Sequence, residues 1–192
     1  MLSAGTQKII AIAASTGGVE ALTHVLSCLP PTVPPVLIVQ HMPVGFTNLF
    51  AARLDKKLPL SVKEAQTGDI LIRGQVLVAP AGKHMKVVNH LGKLSVECFL
   101  GPKVQSVIPS ADVLFESVAN IIRKNAIGVI LTGMGADGAD GLMMMKQQGA
   151  KTVGQDRESS TIYGMPKMAY DRGAIDYQLP LNQIANKIMS LV

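Results

Sequence analysis

The chain has 192 residues, of which 48% are hydrophobic and 16% charged, and a formal net charge of +5. A chain this apolar can bury a core, which excludes intrinsic disorder, and its length suits one domain over residues 1–192. Its longest apolar runs are only strand-sized, so we expect no membrane insertion. With two cysteines and no tryptophan, the composition argues against a disulfide scaffold and a base-stacking surface. We therefore expect a cytoplasmic protein with no nucleic-acid partner.

The positive charge is concentrated in the first half of the chain. Residues 1–96 hold nine Lys or Arg and four Asp or Glu, whereas residues 97–192 hold nine of each. This excess is either a solvated face or a field that attracts an acidic partner.

Apolar runs and helical periodicities alternate along the sequence. The predicted strands cover residues 8–14, 36–40, 61–64, 74–80, 85–89, 93–99, 126–131 and 151–155, with a hairpin turn at 89–92. The predicted helices lie over residues 22–29, 45–57, 113–122, 138–148 and 181–191. This order predicts an α/β fold: a doubly wound, mostly parallel sheet with helices on both faces and an antiparallel edge hairpin.

Three reactive side chains, Ser15, His41 and Asp137, come at or shortly after the ends of three of these strands. The carboxyl ends of parallel strands share one edge of a sheet, so the side chains meet if the strands are neighbours. A serine hydroxyl becomes a nucleophile when an imidazole removes its proton and a carboxylate orients the imidazole. The three residues together therefore indicate a serine hydrolase.

Taken singly, each residue also has a structural interpretation. Ser15 and Asp137 can cap the helices that follow them, and His41 can be an ordinary loop histidine. The glycine-rich turn after Ser15 can hold a phosphate, although it matches neither G-x-x-x-x-G-K-[ST] nor G-x-G-x-x-G. The coincidence at three strand ends favours catalysis. His84, beside a predicted strand, is a weaker candidate, and no set of residues has metal-ligand spacing.

The motifs around these residues resemble the signature segments of the CheB family, the bacterial chemotaxis protein-glutamate methylesterases. The matching segments are Ile12-Ala13-Ala14-Ser15-Thr16-Gly17-Gly18, Gln40-His41-Met42-Pro43, Gly45-Phe46-Thr47, Ala79-Pro80-Ala81-Gly82-Lys83-His84-Met85, Pro109-Ser110-Ala111-Asp112-Val113-Leu114-Phe115, Leu131-Thr132-Gly133-Met134-Gly135-Ala136-Asp137-Gly138 and Tyr163-Gly164-Met165-Pro166. The resemblance implies a catalytic triad of Ser15, His41 and Asp137. It also implies that Thr16 and Met134 support the site through the oxyanion pocket, and that no cofactor or metal is needed.

The family resemblance also implies a substrate and a partner. Family members hydrolyse glutamate methyl esters on the cytoplasmic helices of chemoreceptors, release methanol, and deamidate certain receptor glutamines. Typical members carry an N-terminal receiver domain, whereas only about seven residues precede the first predicted strand here. We therefore expect an excised catalytic domain or a stand-alone homologue, without internal control by phosphorylation.

The alternative from another class is a non-catalytic Rossmann-like module that binds a phosphate or nucleotide on the loop at residues 15–18. An inactive esterase kept as a receptor-binding domain is a variant of it. The pair His41 and Asp137 separates the two hypotheses, because phosphate binding requires neither side chain.

Overall fold

A computed structural model describes residues 8–192 of the chain. These residues form nine strands and six α-helices, with one 3₁₀ turn at Arg123–Asn125. In chain order the elements are β1 (Ile9–Ala14), α1 (Gly18–Ser27), β2 (Val36–Gln40), α2 (Phe46–Lys57), β3 (Ser61–Glu64), β4 (Gln75–Val78), β5 (His84–His90), β6 (Lys93–Phe99), α3 (Ala111–Ile121), β7 (Ala126–Ile130), α4 (Ala139–Gln147), β8 (Lys151–Gln155), α5 (Met165–Asp171), β9 (Tyr177–Leu179) and α6 (Leu181–Leu191).

Seven strands form one parallel sheet in the order β3-β4-β2-β1-β7-β8-β9. Every residue of the central strands β2, β1 and β7 is buried, which explains why their sequences are continuous apolar runs and not alternating patterns. The strands β2 and β7 flank β1, so the winding of the chain reverses there. The carboxyl ends of β1 and β7 therefore border the crevice where doubly wound sheets bind ligands.

Helices cover both faces of the sheet, which confirms the predicted fold class. Side chains of β1 alternate between two apolar cores, with Ile10 and Ile12 in one and Ala11 and Ala13 in the other. The first core lies under α1, α2 and α6, and the second lies under α3, α4 and α5. None of the six α-helices in residues 8–192 combines the length and apolar character needed to cross a bilayer.

The predicted antiparallel hairpin is present, but β5 and β6 form a separate two-stranded sheet and do not extend the edge of the parallel one. The hairpin buries Met85, Val87 and Val96 in the same core as α3, so it covers that helix. Its turn is shorter than predicted: only Leu91 and Gly92 lie between the strands, both with positive φ, as in a type I′ turn.

Two elements of the described chain are absent from the sequence-based prediction. Helix α5 has seven residues and a proline near its start, and β9 has three residues at the edge of the sheet beside β8. Both are too short to show a clear hydrophobic period. They matter to the site because α5 follows a loop that packs against the end of β7.

Candidate active site

The turn that follows β1 places Ser15 at the carboxyl edge of the sheet. Its N–H donates to the carbonyl oxygen of Thr132 at 3.0 Å, just beyond β7, and the N–H of His41 donates to the carbonyl oxygen of Ala14 at 3.2 Å. Since Ala14 pairs with Gln40 in the register of β1 and β2, Ser15 and His41 continue adjacent strands at the same level. Three predicted strand ends thus meet at one point of the sheet.

Two glycines allow the backbone to crowd around Ser15. Gly17 has a φ of +78°, and a Cβ atom there would lie 2.4 Å from Oγ1 of Thr161. A Cβ atom on Gly133 would lie 2.7 Å from Cβ of Ser15 and 2.4 Å from Sδ of Met165. A side chain at either position would force the loops apart, so both must be glycine for this close approach.

A buried glutamine ties the serine loop to the histidine loop. The Nε2 amide of Gln40 donates to the carbonyl oxygens of Ser15 at 2.9 Å and of His41 at 3.1 Å. Gln40 is 2% exposed, so water competes little for these bonds. These two bonds fix the spacing of the Ser15 and His41 backbones. Gln40 was not singled out for this role from the sequence.

His41 and Asp137 are hydrogen-bonded to each other. The distance from Nε2 of His41 to Oδ2 of Asp137 is 2.8 Å, and their side chains are 13% and 3% exposed. An ionised carboxylate only accepts hydrogen bonds, so Nε2 carries the proton and Nδ1 of the neutral ring is left as an acceptor. The buried carboxylate therefore orients the ring, and the pair has the arrangement that a base needs.

Asp137 receives three further hydrogen bonds, all from the start of α3. Oδ1 accepts from the Ser110 hydroxyl at 2.6 Å and from the Asp112 N–H at 3.2 Å, and Oδ2 accepts from the Ala111 N–H at 2.6 Å. Burial acts to raise the pKa of Asp137, but the bonds from His41, Ser110 and the two backbone groups outweigh it. The pKa of Asp137 therefore lies below its ordinary value, and the carboxylate is charged at neutral pH.

Comparison with known proteins identifies the family. Residues 10–188 match the family model of the CheB methylesterase. The chain belongs to the CheB methylesterase family. The resemblance expected from the motifs is thus confirmed.

Relatives and a solved structure of the CheB family agree with this assignment. The chain is 48% identical over 191 residues to the protein-glutamate methylesterase/protein-glutamine glutaminase of Syntrophotalea carbinolica, with 100% of this chain and 54% of the relative covered. It is 51% identical over 191 residues to the protein of the same name from Sulfurimonas denitrificans, at the same coverage. The structure of the Thermotoga maritima CheB methylesterase catalytic domain superposes with a TM-score of 0.94 at 38% identity, over 97% of this chain and 99% of that one. The chain spans about half the length of the curated relatives it matches.

The two supporting residues expected from the CheB resemblance lie in the loops beside Ser15. Thr16 is the next residue, and its carbonyl oxygen accepts the Thr132 hydroxyl at 3.0 Å. Met134 follows Gly133, whose N–H donates to Ile162 and whose carbonyl oxygen accepts from Met165. The Met134 side chain is 75% exposed, so packing does not explain its place.

A cleft of about 460 Å³ opens beside the catalytic histidine expected for a CheB domain. Its walls are mostly apolar, and they are formed by residues 41–44, Gly82, Lys103 and residues 106–108. Lys103 and His41 are the basic side chains of this lining. The cleft can therefore hold an aliphatic group near His41 with an acidic group alongside.

The structure offers little to a phosphate or a metal. Glu20 lies in the first turn of α1, where its negative charge opposes an anion at the helix start. Within residues 8–192, no group of three or more His, Cys, Asp or Glu side chains is arranged to hold a metal ion.

Two residues behind Asp137 were missed as members of the site: Ser110 bonds to its carboxylate, and His84 bonds to Ser110. Ser110 looks from sequence like an ordinary helix cap, and His84 looked like a residue beside a strand. In the structure His84 begins β5, is 1% exposed, and contacts the backbone of Ser110. Only the fold brings α3 and β5 up to the loop after β7, so no local pattern could have revealed these contacts.

Proposed function

We propose that this chain is the catalytic part of a protein-glutamate methylesterase, a serine hydrolase that removes methyl groups from glutamate methyl esters on bacterial chemoreceptors. The observation that carries the proposal is the 2.8 Å bond between His41 and Asp137, next to Ser15 at the point where the sheet reverses its winding. Binding of a phosphate by the Ser15 loop needs neither of these side chains. The names of the relatives support the same reaction.

In the proposed mechanism Ser15 is the nucleophile and His41 is its base. Nδ1 of His41 takes the hydroxyl proton as the Ser15 oxygen attacks the ester carbonyl, and Asp137 stabilises the imidazolium. The tetrahedral intermediate then breaks its bond to the methoxy oxygen, which takes the proton from His41 and leaves as methanol. Water, deprotonated by His41, attacks the remaining acyl bond and releases the free glutamate side chain and the Ser15 hydroxyl.

The developing oxyanion needs donors on the side of the carbonyl away from His41. We assign this role to the backbone N–H groups of Thr16 and Met134. Each follows a residue held by backbone hydrogen bonds, Ser15 in one loop and Gly133 in the other. Such fixed donors stabilise the transition state more than the substrate.

The proposed substrate fits the chemistry of the cleft. An aliphatic glutamyl methyl ester suits its apolar walls, and the acidic residues expected around a receptor methylation site suit Lys103 and the basic first half of the chain. Such receptor segments lie in the cytoplasm, where we propose that the enzyme acts. For the rest of the longer relatives we propose the regulatory receiver domain that the family resemblance implies.

The first prediction tests the nucleophile by methanol release from methylated receptor membranes. Replacing Ser15 with alanine removes the attacking oxygen and leaves the loop backbone in place. Triads that lose their nucleophile lose on the order of 10⁶ in kcat, so the variant is expected to release almost no methanol. The N-cap of α1 is Gly17 and no side chain caps this helix, so removal of the Ser15 hydroxyl should leave the helix start intact. The variant should therefore fold and still bind receptor.

Adding His41→Ala to Ser15→Ala should cost little more, because the residues act as one unit. A folded Ser15→Ala protein with near-normal activity would overturn the mechanism. A wild type that releases no methanol but binds phosphate, with weaker binding in the variant, would favour the alternative hypothesis.

The second prediction concerns glutamine deamidation by the same site. An amide and an ester pass through the same tetrahedral oxyanion, but ammonia leaves less readily than methanol and depends more on protonation by His41. Deamidation of selected receptor glutamines is therefore expected to be slower than demethylation. Mass spectrometry measures it as a gain of about one dalton at Gln, and no gain after complete demethylation would contradict it.

A further inference from the structure

The start of α3 is capped in an unusual way. Ser110 is the N-cap residue, with the extended backbone (φ −108°, ψ 135°) typical of that position, but its hydroxyl makes no cap bond to its own helix. It donates instead to Oδ1 of Asp137 at 2.6 Å. The N–H groups of Ala111 and Asp112, which have no partner inside the helix, donate to the same carboxylate. Asp137 thus caps α3 from another loop.

A buried histidine, His84, bonds to the backbone of Ser110. Nδ1 of His84 accepts the N–H of Ser110 at 3.2 Å, and Nε2 donates to the carbonyl oxygen of Pro102 at 2.9 Å. The ring is therefore neutral, with its proton on Nε2. His84 is 1% exposed and Ser110 is fully buried, so water cannot replace either bond.

We propose that Ser110 is a positioning residue that holds the Asp137 carboxylate toward His41, and that His84 fixes Ser110 for this purpose. The proposal rests on the function proposed above for Asp137 and His41.

The division of bonds between the two carboxylate oxygens supports this role. Oδ2 of Asp137 faces His41 and the Ala111 N–H, both within 2.8 Å. Oδ1 is held by Ser110 at 2.6 Å and by the Asp112 N–H at only 3.2 Å. Without the Ser110 hydroxyl, Oδ1 keeps only the longer bond, and the Ala111 N–H at Oδ2 is left as the one short bond from α3 that opposes rotation about the Cβ–Cγ bond. Such rotation turns Oδ2 away from His41. The short bond from Ser110 is also of the strong, charge-assisted kind.

The test compares Ser110→Ala with Ser117→Ala. Ser117 is a serine on the same helix whose hydroxyl bonds to the Val87 N–H and the Leu114 carbonyl, not to Asp137. Ser110→Ala is expected to lower kcat about tenfold to a hundredfold at unchanged KM, because a bond to a charged group in the catalytic unit is lost. Ser117→Ala is expected to keep the wild-type kcat, and Ser110→Thr, which retains a hydroxyl, is expected to recover most of the rate.

A measurement without substrate separates this proposal from the proposed function. In proton NMR the Nε2–H of His41, bonded to Asp137, is expected to give a far-downfield signal in the free protein. The signal is expected to shift upfield and broaden in Ser110→Ala and to stay unchanged in Ser117→Ala. An unchanged signal with wild-type kcat in Ser110→Ala, or an equal loss of kcat in both alanine variants, would overturn the positioning role. Absence of hydrolysis by the wild type would refute the proposed function instead, and the NMR comparison would still decide this one.

Discussion

Two histidines lie near the start of α3, and they are used differently. Nε2 of His41 bonds to a carboxylate, its other nitrogen is left as an acceptor, and its ring lines the cleft. Both nitrogens of His84 bond to backbone groups, those of Ser110 and Pro102, and the ring is buried. A catalytic base needs a free nitrogen and a partner for the charge it gains, and only His41 has both.

The contrast shows that one series of hydrogen bonds joins two kinds of residue: those proposed to take part in the reaction and those that hold them in place. The bonds run from Pro102 through His84 and Ser110 to Asp137 and His41. Residues at the cleft end of this series of bonds should mainly control the rate of hydrolysis. Residues at the buried end should mainly control the free energy of unfolding. Substitutions at each end test this division.

The largest effect is expected at the cleft end. His41→Ala removes the base and should lower kcat for methyl ester hydrolysis by on the order of 10⁶, as in other triads. The side chain is partly exposed and its backbone bond to Ala14 remains, but the buried Asp137 carboxylate loses one of its four hydrogen-bond donors. The free energy of unfolding should therefore fall by about 1–2 kcal/mol. Methanol release and urea unfolding measure the two quantities. A loss of stability comparable to that of a core substitution would break the proposed division.

At the buried end, a substitution should reduce stability more than it reduces activity. His84→Leu leaves the Ser110 N–H and the Pro102 carbonyl without their partner, at about 1–3 kcal/mol for each buried group. We expect unfolding by urea to show a loss of about 2–4 kcal/mol and activity to fall by no more than about a hundredfold while the protein is folded.

The matched variant is His84→Asn, whose side-chain oxygen can still accept from the Ser110 N–H. It should lose less stability than His84→Leu. If His84→Leu were as stable as the wild type but inactive, His84 would belong to the chemistry and not to the support.

The two ends also differ in how far the sequence predicts them. Ser15, His41 and Asp137 could be proposed because each comes after an apolar run long enough to be recognised as a parallel strand, and the ends of such strands share an edge. The hydrogen bond between His41 and Asp137 could be expected once β1, β2 and β7 were taken as neighbours. The structure joins His41 to Asp137 and places Ser15 beside His41.

Ser110 and Gln40 could not be assigned in this way. A serine before a helix predicts a cap, but whether its hydroxyl bonds to its own helix or to a carboxylate elsewhere depends on tertiary packing. Gln40 ends an apolar strand, and only the closeness of the two loops gives its amide its acceptors. The separate position of the β5–β6 hairpin is similarly set by its burial against α3, which no local pattern encodes.

The smallest effect is expected from two carboxylates, Asp112 and Asp137, and concerns how their ionisation changes the stability of the fold. Asp112 and Asp137 share the start of α3, but only Asp137 has a histidine partner. Burial raises the pKa of Asp112 to about 6, and the negative charges of Asp137 and Asp140 add to this against the hydrogen bond from the Gly141 N–H. The pKa of Asp137 is lowered, so its ionised form stabilises the fold, whereas the ionised form of Asp112 weakens it.

The sign of this difference fixes the expected pH dependence. An unfolded aspartate has a pKa of about 3.9, so between about pH 4 and 6 the folded chain keeps a proton on Asp112 that the unfolded chain has lost. The contribution of Asp112 therefore becomes less favourable as pH rises through this window. That of Asp137 is lost only as pH falls below about 4, through its lowered pKa. Asp112→Asn retains an oxygen for the Gly141 N–H, 2.8 Å away, and removes the charge.

We therefore expect urea unfolding of Asp112→Asn to show a gain of roughly 1 kcal/mol at pH 7.5, after allowing for solvent screening, and almost none at pH 4. Asp140→Asn is the control, because Asp140 is exposed and pairs with Arg172 at 2.7 Å. It should show at most a loss of about 1 kcal/mol at pH 7.5, as for other surface ion pairs. Equal stability of Asp112→Asn and the wild type at pH 7.5 would mean that the Asp112 carboxylate is not strained by its burial. The different surroundings of Asp112 and Asp137 would then not be reflected in the contributions of their ionised forms to the free energy of unfolding.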